Sequence, residues 1–79
     1  MPTKMATAAD ISALIAVEMA YCQECRCVSA PDIEWTTPDP EGWNWKTANW
    51  RGDAEAILRC RVAMFNAIEV IAAYYRLAE

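Results

Sequence analysis

Apolar residues recur every three or four positions in both outer thirds of the chain and alternate with polar ones in its middle. In the first third, Ile11, Leu14, Ile15, Met19, Cys22 and Cys25 share one face at helical spacing. Thr7 and Asp10 precede that run in the arrangement of a capping box, with the acid also favoured near the positive helix end. The spacing predicts a helix over about residues 8–26, closed before Pro31, which pushes Ala30 out of helical conformation. In the last third, Gly52 ends a loop, Asp53 is a good N-cap and Glu55 sits in the first turn. Nothing then breaks a helix over about residues 54–77. Its stripe is Ile57, Cys60, Met64, Ile68, Ile71 and Tyr75, flanked by Leu58, Phe65, Ala67 and Ala72. Val62, Val70 and Leu77 lie off that stripe and point to a second packed surface.

Between the helices, Asp32 to Thr37 puts Ile33, Trp35 and Thr37 on one face, with Glu34 and Thr36 on the other. Pro38, Asp39, Pro40, Glu41 and Gly42 form a turn signal. Trp43 to Thr47 alternates again, so the pattern predicts a β-hairpin over about residues 32–47. Ile33, Trp35, Trp43 and Trp45 would share its apolar face. An isolated two-stranded hairpin is marginal, so that face is expected to pack on the helices. The whole reads as one α+β domain over residues 1–79, in the order helix, β-hairpin, helix. Its two helices are antiparallel, with a small two-stranded antiparallel sheet packed on them. At ~1.5 Å per residue the second helix is about 35 Å long and outreaches the first by roughly two turns. Its C-terminal end is expected to protrude or to meet a second copy, which makes a homodimeric scaffold one reading.

Charge refines this picture at one internal point. Glu18 falls inside the apolar arc of the first helix and Arg61 inside that of the second. Antiparallel helices with residue 26 opposite residue 54 would bring the two together as a structural ion pair that fixes helix register. The net charge is −4, and residues 30–55 carry all of it, with six acids against two bases. Phosphate contacts need clustered Lys and Arg, so direct nucleic-acid binding is not expected. An acidic patch suits a basic partner protein, including one that itself binds nucleic acid, and it also serves solubility.

Candidate chemistry is sparse. The chain contains no histidine and only two glycines, Gly42 and Gly52, so a histidine base and a glycine-rich phosphate loop are both missing. We expect no enzyme and no catalytic residue. The cysteines Cys22, Cys25, Cys27 and Cys60 leave three readings: reduced packing residues, a four-thiolate zinc site that would make a small metal module, or a Cys22–Cys60 disulfide. Reduced cysteines and no cofactor are the expectation, since the zinc spacing is poor and no histidine completes it. No apolar run reaches the ~18 residues that span a bilayer, and residues 1–10 show no apolar leader, so we expect a cytoplasmic protein off the membrane.

A binding role remains. All four tryptophans, Trp35, Trp43, Trp45 and Trp50, fall within 16 residues. Trp50 and Tyr74 are candidate anchors, with Asp32, Glu34, Asp39 and Glu41 as an acidic rim. Shortness, the acidic Trp-bearing segment Asp32–Asp53 and the lack of catalytic residues make the chain resemble small acidic inhibitors of phages and mobile elements, including anti-CRISPR proteins. That resemblance implies a protein that docks on a host complex and blocks its access to DNA.

Overall fold

The computed structural model describes residues 3–78, and both helices begin where their capping residues put them. At the first helix, α1 (Ala8–Ala20), the Asp10 N–H donates to Thr7 Oγ1 at 3.1 Å, and the Thr7 N–H donates back to Asp10 Oδ2 at 3.4 Å. At the second, α2 (Ala54–Tyr74), Asp53 Oδ2 accepts the Glu55 and Ala56 N–H groups. Each cap satisfies helix donors that lack an intrahelical partner.

Both helices stop early. α1 ends at Ala20 rather than near residue 26, and a 3-10 turn at Gln23–Cys25 follows. The helical spacing of Cys22 and Cys25 therefore misleads, because Cys25 turns across to bond Cys60 of α2. α2 ends at Tyr74, and Tyr75–Leu77 becomes a strand. Its partner is β1 (Lys4–Ala6), parallel, with Lys4, Met5 and Ala6 opposite Tyr75, Arg76 and Leu77. The plain helix, hairpin, helix order is thus incomplete, and antiparallel pairing is not the sole kind. Three-residue strands carry too little alternation to be read from sequence. The end of α2 does not protrude, because its chain is tied back to the N-terminal strand.

The hairpin forms with a later second strand than expected. β2 (Asp32–Trp35) pairs antiparallel with β3 (Trp45–Ala48), and the C-terminal strand Tyr75–Leu77 is β4. Trp43 falls in the connecting loop, not on the sheet. Within that loop Asp39 Oδ1 accepts the Glu41 and Trp43 N–H groups, both at 2.9 Å. Gly42 adopts φ 91°, which favours glycine. The turn signal was right, but the Asp39-centred loop absorbs more residues than its five.

The core lies between α1, α2 and the hairpin. Ile11, Ile15 and Met19 of α1 meet Cys60, Met64 and Ile71 of α2, together with Ile33 and Trp45. Trp45 is fully buried, and its Nε1 donates to the Tyr75 carbonyl at 3.1 Å. Asn44 beside it bonds Leu77 twice, donating from Nδ2 to the carbonyl and accepting the N–H on Oδ1. These bonds fasten the hairpin to β4. At the opposite end, Gly52 sits so close to the 27–28 backbone that a Cβ would lie 2.9 Å from the Cys27 carbonyl. The Ser29 N–H bonds the Arg51 carbonyl nearby at 2.9 Å.

The helices run antiparallel: β1 enters α1 beside β4, and Cys25, past the far end of α1, is bonded to Cys60 near the start of α2. The expected Glu18–Arg61 pair does not form. Both residues are exposed, and the ion pairs among the described residues are Arg51–Asp32 and Arg59–Glu55. The register explains this. The early end of α1 places residue 25, not 20, opposite residue 60, so Glu18 faces Asn66, Ala67 and Val70. Arg61 is turned toward the hairpin instead.

The Cys25–Cys60 bond also corrects the cysteine readings. The reduced state, the Cys22–Cys60 pairing and a four-thiolate zinc site all give way to it, since two of the four thiols are consumed. Cys22 is half-buried and Cys27 exposed, both free. A covalent link spanning 35 residues restricts the unfolded chain by about 3–4 kcal/mol in the loop-entropy account. Reductant should therefore lower the thermal midpoint by at least about 10 °C, followed by circular dichroism. The Cys22→Ser/Cys27→Ser variant should melt like the parent. A midpoint unmoved by reduction would show that the bond does not support the fold.

Candidate functional site

The acidic residues do not converge. Asp32 lies at the open end of the hairpin, where Oδ2 accepts from Asn49 Nδ2 at 2.9 Å and pairs with the Arg51 guanidinium at 3.0 Å. Glu34 is exposed in mid-strand, directly across from Lys46. Asp39 and Glu41 lie at the closed end, where Asp39 organises its own loop. The Glu41 carbonyl receives the Arg76 guanidinium at 2.9 Å, while the same Arg76 donates to the Ala72 carbonyl at the end of α2. Two of the four acids thus face a cation, and the others are separated from Asp32 by the length of the sheet. Tyr74 is exposed but sits about 140° around α2 from Arg61, at ~100° per residue, on another side of the molecule.

The tryptophans also divide. Trp35 shares the Trp45 face by register, yet it lies at the strand end and stays 48% exposed. Trp43 is half-buried and meets Trp45 edge-on, with ring centroids 5.5 Å apart. Its Nε1 is buried with no hydrogen-bond partner among the described residues, an arrangement that costs about 1–3 kcal/mol. Trp50 is half-buried, donates from Nε1 to Thr47 Oγ1 at 3.2 Å, and carries the Arg61 guanidinium 6.0 Å from its ring centroid. That distance is at the outer limit of cation–π attraction.

Trp43 and Trp50 line a groove of about 780 Å³ between the hairpin and α2. Lys46 and Arg61 are on its walls, with Phe65 and Ile68 from the helix. Along its helical rim, Leu58, Val62 and Phe65 are 61%, 71% and 60% exposed. They stand at i, i+4 and i+7, one continuous apolar strip on the side of α2 away from Cys60 and Met64. The sequence pattern placed Leu58 and Phe65 beside the core stripe and, of these three, only Val62 off it, together with Val70 and Leu77. The available signal was the 58–62–65 spacing, a second stripe on the same helix.

The groove pairs aromatic and aliphatic walls with two cations and one acid, Glu69. Its lining holds a single carboxylate and no cysteine, serine or histidine. Among the described residues no group of three or more histidine, cysteine or acidic side chains is placed to hold a metal ion. No helix among them is long and apolar enough to cross a membrane. At the other end of the core, desolvation first and the Glu24 carboxylate second raise the Cys22 thiol above its ordinary pKa, which makes it a poor nucleophile.

Asp32 supplies a pH dependence. The Asn49 hydrogen bond, and then the Arg51 hydrogen bond, hold its carboxyl below the usual carboxylate range. A depressed native pKa gives stability that is present above the unfolded value of about 3.9 and lost as pH falls through the native one. The midpoint difference between wild type and Asp32→Ala should hold from neutral pH down to about 4, then shrink at lower pH. A difference unchanged down to pH 2 would show that the ionised carboxylate is not what stabilises.

No protein-family model, curated protein or solved structure matches this chain.

Proposed function

We propose that this chain is a non-enzymatic protein-binding module, an inhibitor or adaptor, that docks through the outer face of α2 and the groove beside it. The observation that carries this reading is the exposed strip Leu58, Val62 and Phe65 running along the tryptophan-lined groove. A contiguous apolar surface bordered by charge is how a small domain offers an interface. Buried aromatic anchors and an arginine beside them are the usual composition of binding hot spots, and Trp50 with Arg61 supplies both.

The acidic residues then act at a distance. Residues 30–55 hold the net charge of −4, which favours approach to a partner with a basic surface and speeds association more than it tightens the final complex. A small acidic blocker of a nucleic-acid-binding surface, of the anti-CRISPR kind, is a partner arrangement of this class. The Cys25–Cys60 bond fits an oxidising compartment better than the reducing cytoplasm expected from sequence.

Affinity capture from a host lysate tests the assignment of surface. Val62→Asp/Phe65→Asp changes only exposed positions and should fold normally by circular dichroism, yet lose the captured protein. Glu34→Gln/Glu41→Gln should retain it, with slower association and a weaker salt dependence. Capture unaffected by the α2 variant would overturn the reading.

A further inference from the structure

We infer that the isolated protein seats a second copy of itself on the α2 face, as an antiparallel α2–α2 pair with Phe65 on the two-fold axis. This rests on the reading of that face as a docking surface and names what covers it when no partner protein is bound. The charges of the face carry it. Arg61 and Glu69 both line the groove, and they stand four residues before and four residues after Phe65. Neither takes part in an ion pair among the described residues. Eight residues apart on one helix, about 12 Å at ~1.5 Å per residue, they cannot meet each other.

A two-fold axis through Phe65 makes positions equidistant from it face one another. Arg61 then meets the partner's Glu69, and Glu69 meets the partner's Arg61, so one face contributes two ion pairs. Val62 meets the partner's Ile68 on the same principle, and the two Phe65 rings meet at the axis. A parallel pair would set Arg61 against Arg61 and Glu69 against Glu69, which like-charge repulsion disfavours. The face is therefore complementary to itself in one orientation only, as an isologous interface requires. The Arg61 guanidinium lies over the Trp50 ring, 6.0 Å from its centroid. The strip from Leu58 to Glu69 is only about 16 Å long at ~1.5 Å per residue. A contact this short falls at the small, weak end of protein interfaces.

Sedimentation equilibrium over a concentration series reads this directly. Wild type should show a monomer–dimer equilibrium. Arg61→Glu and Glu69→Arg should each raise the dimer Kd at least about tenfold, because each sets like charges together twice. The double variant R61E/E69R should return to within about threefold of wild type, since the pairs re-form with reversed sign. Thermal melts confirm that all four proteins fold. Wild type that stays monomeric at ~1 mM, single reversals without effect, or a double variant that fails to recover would each overturn the self-pairing. Loss of lysate capture in Val62→Asp/Phe65→Asp alongside a monomeric wild type would leave the docking face standing with a foreign occupant. Capture unaffected by that variant removes the face itself.

Discussion

The indole of Trp45 lies between the hairpin and the end of α2, buried, with its donor on the Tyr75 carbonyl. That one placement organises much of the chain. It fills the space that the short sheet leaves against the helices, and it holds β4 where β1 can pair with it. Asn44 doubles the link to Leu77. Since β1 leads through Thr7 straight into α1, the position of the first helix depends on the same joint. The far end of the helix pair is closed by Cys25–Cys60 and by the tight approach of Gly52 to residues 27–28. Seventy-nine residues bury only a small core, and two clamps at opposite ends suit that limitation.

The clamps also decide what is left outside. With Cys60, Met64 and Ile71 turned to the core, the opposite side of α2 carries Leu58, Val62 and Phe65 into solvent. The hairpin reaches the helix from one side only, so Trp43 and Trp50 wall a groove instead of sealing it. The binding surface we propose is thus a by-product of how few elements share the core. Of the acids in the middle segment, Asp32 and Asp39 are occupied in holding that segment's shape, while Glu34 and the Glu41 side chain stay exposed.

The parts legible in the sequence were those with local causes. Thr7 with Asp10, and Asp53, mark helix starts because a cap is decided by residues three positions apart. The hairpin was legible from alternation and from the Pro38–Gly42 turn. What escaped depended on contacts distant in sequence. Cys22 and Cys25 continue a helical pattern, yet the bond to Cys60 draws the chain out of the helix. Tyr75 to Leu77 continue the α2 pattern too, but pairing with β1 pulls them straight. The Glu18–Arg61 expectation failed through the same early helix end, which shifts the register between the helices. Of the candidate site, Trp50 was legible as the tryptophan outside the hairpin pattern. Leu58 and Phe65 were not, because a helix with apolar residues on two sides does not announce which side faces inward.

Hydrogen exchange of the four indole N–H groups, followed by NMR and assigned by single Trp→Phe variants, tests this account most directly. The Trp45 proton, buried and bonded to the Tyr75 carbonyl, should persist long after transfer to D2O, while that of the half-exposed Trp35 exchanges at once. A Trp45 indole exchanging as fast as Trp35 would contradict the account, because the joint between hairpin, β4 and helices would then not exist.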